Sequence, residues 1–271
     1  MNEINFEIAE KVITLFIKDS VTKNHFQNGI VGVSGGLDSA VVLTLVERAL
    51  GADHTLALMM PYKTSSPESL EHAQQLCAQL KVNSEVIDIT PSVDAYFKRF
   101  PTDNAVLIGN KCARERMSIL YDFSSRKEAL VVGTSNKSEL LIGYSTIFGD
   151  SAAAFFPLGD LYKTHLFDFA RYLKVPAEII EKKPSADLWK DQTDEDEIGI
   201  SYRELDEILF QLVDLRKKPE DIVKMGFARG MIDKIREKVM NSQYKRTMPP
   251  IVKLLPRTIG LDFRYLRDWN K

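Results

Sequence analysis

The chain has 271 residues, 36 Lys and Arg against 38 Asp and Glu, a formal charge of −2, and 44% hydrophobic residues. This near balance leaves no basic field for non-specific nucleic-acid binding, and no apolar run approaches the roughly 20 residues that span a bilayer, so neither nucleic acid nor membrane is an expected partner. With 14 Gly and 11 Pro the chain is not low-complexity, and its length suits one principal core. The N-terminal Met1-Asn2-Glu3-Ile4-Asn5 lacks the charged start and apolar stretch of a secretory signal, which makes cytoplasm the expected location.

Phe6 to about Val21 carries Ile8, Val12, Leu15 and Phe16 at helical spacing, the pattern of an amphipathic opening helix. A short apolar run over 29–33, a Gly-containing turn at 34–39 and the stretch Ala40 to Leu50 read as strand, tight loop and helix. Thr55 to Met60 reads as a buried strand, and Ser66-Pro67-Glu68 supplies an N-cap, an N1 proline and an early acid for a helix to Leu80. Glu85 to Ile89 is a third strand candidate. Helical patterns near 93–100 and 110–123 lead to a fourth, Ala129 to Gly133. Cys77 and Cys112 fall in helical patterns without a neighbouring thiol and read as reduced structural residues; the four His show no metal-ligand spacing.

Continuous apolar strands alternating with helices before residue 175 predict an α/β fold, a doubly wound parallel sheet whose ligands sit beyond the carboxyl ends of the strands. After Pro176 come a Lys-Lys-Pro loop at 182–184, an acidic run from Asp191 to Glu197, and helical patterns over 201–216 and 228–242. The whole, 1–271, reads as a single domain, with a sheet core over about 25–175 and a C-terminal helical extension over about 176–271.

The most informative segment is Ser34-Gly35-Gly36-Leu37-Asp38-Ser39. It lacks the Lys-Ser/Thr ending of a Walker loop and the GxGxxG of a dinucleotide fingerprint. Two glycines bring backbone N–H groups close to an anion ahead of a helix N-terminus, and two serines add hydroxyls. Asp38 would repel a bare pyrophosphate, but it suits one that shares Mg²⁺ with a carboxylate. A Gly-rich turn in which Asp38 only caps the helix has the same spacing.

These residues resemble the SGGxDS signature of the N-type ATP pyrophosphatases, which cleave ATP to AMP and pyrophosphate while adenylating a substrate. Further segments narrow the resemblance to NAD synthetases: Gly109 to Met117 is similar to their GNxxARxRM segment. Gly133-Thr134-Ser135-Asn136-Lys137-Ser138-Glu139, then Gly143 and Phe148-Gly149-Asp150, are similar to their GTxNxxE and (Y/F)GD blocks. The similarity continues through Pro157 to Thr164, Lys183 to Leu188 and Asp194 to Tyr202, covering about residues 5–250.

The resemblance implies an adenine nucleotide alpha-hydrolase-like fold with ATP bound by Gly32, Val33, Ser34, Gly35, Gly36, Leu37, Asp38 and Ser39. It further implies Mg²⁺ on Asp38 and Glu139, ATP contacts from Thr134, Lys163 and Ser185, and deamido-NAD contacts from Arg114 and the Tyr244-Lys245 pair. Many members have His at the position of Tyr244, Lys at that of Ile147 and Asp at that of Ala154. The implied reaction adenylates the nicotinate carboxylate of deamido-NAD, releasing pyrophosphate, after which ammonia displaces AMP. Asp38 and Lys163 are the expected catalytic groups, and Asp150 is the candidate for handling ammonia and its protons. The synthetase pattern starts within the first ten residues, leaving no room for the glutaminase domain of glutamine-dependent members, so free ammonia or a separate ammonia-supplying protein is the expected donor. Synthetases of this size are typically homodimers.

Local readings coexist with these. Glu139 stands three after Asn136 and fits a helix-capping acid as well as a metal ligand. Lys163 would by itself be a first-turn cation, Arg114 and Arg116 lie on different helix faces, and the acidic run is either a solvated loop or one ordered over the site. Two rival functions are a tRNA-thiolating enzyme of the same fold, disfavoured by the charge and cysteine placement, and a non-catalytic adenine-nucleotide sensor, which would not need Glu139.

Overall fold

The computed structural model describes residues 3–185, 193–260 and 262. Helix α1 (Phe6–Thr22) opens on Asn5, whose side chain accepts the Ile8 N–H. Then alternate β1 (Asn28–Gly32), α2 (Leu37–Leu50), β2 (Thr55–Met59), α3 (Pro67–Leu80), β3 (Asn83–Val86), α4 (Thr90–Arg99), α5 (Ala105–Arg126) and β4 (Ala129–Val132). The four strands are parallel in the order β3-β2-β1-β4. The chain therefore steps outward from β1 through β2 to β3 and then crosses back to lay β4 on the other side of β1. That reversal opens a crevice beyond the carboxyl ends of β1 and β4. The segment after β4 returns to the sheet: Gly133 N–H donates to Phe155 O at 2.9 Å and Ala154 N–H to Val131 O at 2.9 Å.

Alternate residues of the strands face two cores. Val31, Ala57 and Val132 pack against α1, α2 and α7 (Lys163–Leu173), while Ile30, Leu56, Leu58 and Val131 face Val93 of α4 and Cys112 of α5. Covering both faces is what makes β1 and β2 continuously apolar rather than alternating. A third cluster joins α6 (Lys137–Ile142) to the C-terminal helices α9 (Asp194–Ile198), α10 (Tyr202–Leu209), α11 (Pro219–Val223) and α12 (Arg229–Asn241), with the short α8 (Ala177–Glu181) between α7 and α9.

Three expectations shift. In α1 the buried stripe is Ile13, Ile17 and Val21, whereas Ile8, Val12 and Leu15 are 59%, 59% and 61% exposed. The helix is apolar on two faces, and packing on α2 selects the one the spacing did not single out. Strand β3 begins earlier than Glu85 and all four of its residues are exposed, as an uncovered edge allows; Ile87 and Ile89 still run along the sheet through bonds to Met59 O and Pro61 O. The single helix expected over 201–216 leaves α-helical geometry at Leu209 for a π-helical turn, Phe210–Asp214. Cys77 and Cys112 are buried free thiols. Among the described residues no helix is long and apolar enough to cross a membrane.

Candidate active site

The turn between β1 and α2 is built by packing and hydrogen bonding. Gly35 has φ +77°, and a Cβ there would lie 2.0 Å from the Ser69 carbonyl oxygen, so only glycine lets the loop rest on the first turn of α3. Ser39 Oγ accepts the Ser34 N–H at 3.2 Å and donates to Gly36 O at 3.0 Å, closing the loop on itself. The N-cap of α2 is Gly36, and Asp38 belongs to the first helical turn. Its carboxylate is therefore not the cap and points across the crevice.

What it meets comes from α6 and α7. Asn136 and Glu139 form a capping box, Glu139 N–H donating to Asn136 Oδ1 at 3.0 Å and Asn136 N–H to Glu139 Oε2 at 3.3 Å. Asn136 also donates its amide to Asp38 Oδ1 at 2.8 Å. Lys163, only 3% exposed, places its ammonium against Asp38 Oδ2 and 3.4 Å from Glu139 Oε1. Both helix starts are held from behind: Ser138 Oγ accepts the Lys163 N–H at 2.9 Å and donates to the buried Asp206 of α10, which also accepts the Thr164 N–H at 2.9 Å.

The electrostatics follow from that crowding. Burial opposes the charge on Lys163, but Asp38 and Glu139 outweigh it and hold the ammonium protonated beyond the ordinary lysine range. Burial, then the Asp38 charge, pushes the Glu139 carboxyl well above the usual carboxylate range, with Lys163 offsetting only part. Asp194 is raised chiefly by its own burial. One ammonium does not offset all of these carboxylates, and Glu139 and Asp194 answer by holding protons more tightly; a further cation would relieve that crowding. Among the described residues no cluster of three or more His, Cys, Asp or Glu could hold a metal ion, so a cation on Asp38 and Glu139 would complete its shell from ligand oxygens or water.

These groups open onto a cavity of about 560 Å³. The expected phosphate-loop residues from Gly32 to Ser39 line it, apart from Gly35, as do Thr134, Glu139, Asp150, Lys163, Ser185 and Lys245. Asp150 is held by the Thr146 N–H at 2.7 Å. Arg114 and Tyr244 do not line the cavity: Arg114 is exposed, its Nε 3.4 Å from Ile147 O, and Tyr244 is 60% exposed. The arginine that does is Arg116, whose Nε donates to Met60 O at 2.9 Å. Lys245 spends its ammonium on Gly143 O and Ser145 O at 2.7 and 2.6 Å. Asp191, Asp187 and Leu188 lie outside the described residues. The later acidic residues form α9, which places Asp194 and Glu197 on the cavity wall. Tyr144 and Asn136, which sequence reasoning did not select as site residues, connect the carboxylates; the Asn136-x-x-Glu139 spacing was the available signal for the latter.

The family model described as NAD synthase matches residues 9–249. A protein named NH(3)-dependent NAD(+) synthetase from Chlorobaculum parvum is 48% identical over 268 residues, 99% of this chain and 97% of that one. Among solved structures, an NMN synthetase from Francisella tularensis matches with TM-score 0.83 and 30% identity. An NH3-dependent NAD synthetase from Campylobacter jejuni, in complex with nitrate, matches with TM-score 0.79 and 35% identity. Each likeness covers 93% of this chain and 100% of the other. With a family model spanning most of the sequence and relatives of this similarity aligned along nearly their full length, the chain belongs to the NAD synthase family.

Proposed function

We propose that the protein is an ammonia-dependent NAD synthetase. The observation that carries the reading is the meeting of an anion-binding loop, two carboxylates and a buried lysine at one cavity, in a chain that aligns end to end with relatives named for that activity. A carboxylate is a poor electrophile toward ammonia because its oxide leaves badly. In the proposed reaction the nicotinate carboxylate of deamido-NAD attacks the α-phosphorus of ATP, pyrophosphate leaves, and ammonia then attacks the acyl carbon and displaces AMP.

The chain's own residues act by placement and charge neutralisation. Backbone N–H groups of the 34–39 loop with the Ser34 and Ser39 hydroxyls hold phosphate oxygens, and Lys163 offsets charge on the departing pyrophosphate; Thr134 and Ser185 stand on the walls for further ATP contacts. The two crowded carboxylates sharing one lysine fit Mg²⁺, which takes one or two carboxylates plus phosphate oxygens. Bound to Asp38 and Glu139, it would supply further neutralisation of the leaving group. Asp150, at the cavity wall, is the group proposed to take the proton that ammonia loses.

Arg114 and Tyr244 stand on exposed surface, and the same stretches of sequence carry further exposed apolar side chains: Leu107 earlier on α5, and Met248, Val252 and Leu254 after Tyr244. This supports a homodimer in which a second copy completes the dinucleotide site. A second reading, amidation of the mononucleotide, is favoured by the likeness to the Francisella structure and by the same two residues lying outside the cavity. Purified protein with ATP, Mg²⁺ and ammonium is offered deamido-NAD or its mononucleotide. NAD and AMP formation, faster with the dinucleotide, is expected; faster turnover of the mononucleotide selects the second reading, and no amide from either overturns both. Glutamine alone is expected not to replace ammonium.

A further inference from the structure

We propose that Tyr144 is a positioning residue for the reaction, its hydroxyl holding α9 so that Glu197 and Asp194, whose carboxylate feels the Lys163 charge, stay on the cavity wall. The proposal rests on the synthetase reading for its kinetic consequence and on geometry alone for its structural one.

Tyr144 follows the left-handed Gly143 that ends α6, and its N–H donates to the carbonyl of Glu139 at 3.0 Å, so its backbone is tied to a candidate metal carboxylate. Lys245 clamps the carbonyls on either side of it, Gly143 O and Ser145 O. Gly143 itself has no space for a side chain, since a Cβ would lie 2.2 Å from Ser242 Cβ. The backbone at 143–145 is thus fixed from three directions, and a rigid backbone can aim a side chain. The phenol is aimed at α9: its hydroxyl lies 2.8 Å from Glu197 Oε2 and 3.1 Å from Asp194 Oδ1.

The helix it reaches is short, and five residues make a poor helix on their own. Other ties among the described residues include the Thr193 cap, the Asp194 N–H to Pro184 O at 3.0 Å, the Tyr202 N–H to Glu195 Oε1 at 2.7 Å, the Tyr202 hydroxyl to Asp194 at 3.2 Å and the burial of Ile198. Of these hydroxyls, that of Tyr144 lies within reach of both cavity carboxylates, its one proton shared between the exposed Glu197 and the buried Asp194, and a bond from a neutral donor to a charged acceptor is stronger than one between neutral groups. The aromatic ring also packs on the C-terminal helical cluster. Tyr144→Phe keeps that packing and removes only the hydroxyl, which separates positioning from bulk.

The test has two arms. In hydrogen–deuterium exchange, Tyr144→Phe should accelerate exchange of the 194–200 amides about tenfold while leaving β1, β2 and α2 unchanged; wild-type exchange at 194–200 overturns the proposal whatever the enzyme's substrate. In the amidation assay, kcat should fall about tenfold or more with KM for ATP within twofold, because the phosphate loop is untouched. A double-mutant cycle with Glu197→Ala should be non-additive, since both changes break the same contact. Additive losses, an unchanged kcat, or equal loss in kcat and ATP affinity would overturn it. If the wild-type protein makes no amide, the synthetase reading fails and the exchange arm still decides the structural part.

Discussion

Gly35 and Lys163 show how much one position can carry. At Gly35 the left-handed backbone and the Ser69 carbonyl leave no place for a methyl group, so Gly35→Ala should displace the loop, weaken ATP binding measured by calorimetry by at least about tenfold and lower the melting temperature. Lys163 is different because its charge is buried between two carboxylates. Lys163→Ala leaves Asp38 and Glu139 facing each other, a loss of about 3–5 kcal/mol for an uncompensated buried pair, and should lower the melting temperature as well as kcat. Asp38→Asn should keep the fold, since the amide still accepts from Asn136, and reduce kcat by about 100-fold or more, the scale of losing one electrostatic contact to a developing charge. Cys77 gives a pH-dependent test away from the site. Burial pushes its thiol up to about 11 from 9.0. The folded form therefore keeps the proton to higher pH than the unfolded one, and this thiol's contribution to stability is lost as pH rises from about 9 to about 11. At pH 8, alkylation of the native thiol should be about 100-fold slower than in urea.

At the scale of elements, the site is a meeting of helix starts. The start of α2 brings Asp38, α6 brings Glu139, α7 brings Lys163, and α10 sends Asp206 behind the last two. Asp206 carries no candidate role in the chemistry, yet it satisfies the Ser138 hydroxyl and the Thr164 N–H in a place closed to water. Asp206→Ala should lower stability by about 1–3 kcal/mol, the cost of buried unsatisfied donors, and reduce kcat more than it raises KM for ATP. Urea melts and steady-state kinetics read the two effects separately. The capping box also joins local and distant order: Asn136 caps α6 with its carbonyl and holds Asp38 with its amide, so one side chain fixes a helix end and a carboxylate from another element.

For the whole molecule, the parallel strands β1 and β4 deliver the starts of α2 and α6 to the same end of the sheet, and the bonds from Ser138 and Asp206 hold the start of α7 beside them. Lys245 and Arg246 donate to backbone carbonyls of α6, α12 and the loop after α6, tying the 245–246 segment to the helix that carries Glu139. If a second copy completes the dinucleotide site, sedimentation at micromolar concentration should show a dimer, and Leu107→Asp should yield monomers that retain ATP binding but lose turnover of deamido-NAD. Monomeric wild-type protein with full activity would rule out that arrangement.

Alternation of apolar runs and helical periodicity was enough to expect the parallel α/β sheet, because strands covered on both faces must be apolar throughout. The ordered motifs likewise were enough to select the loop, Glu139 and Lys163 before any geometry was known. The resemblance pointed to Arg114 where Arg116 lines the cavity, and the spacing pointed to the face of α1 that stays exposed. Residues two apart on a helix face opposite ways, and only the neighbour against which the helix packs determines which way is inward. Nor could sequence say that the acidic run faces the cavity, since α9 is too short to stand alone and takes its place from Tyr144, Tyr202 and Pro184. Local chemistry and periodicity were written in the chain itself; the meeting of residues a hundred positions apart, such as Asp38 with Lys163, was decided by the crossover that returns β4 to the side of β1.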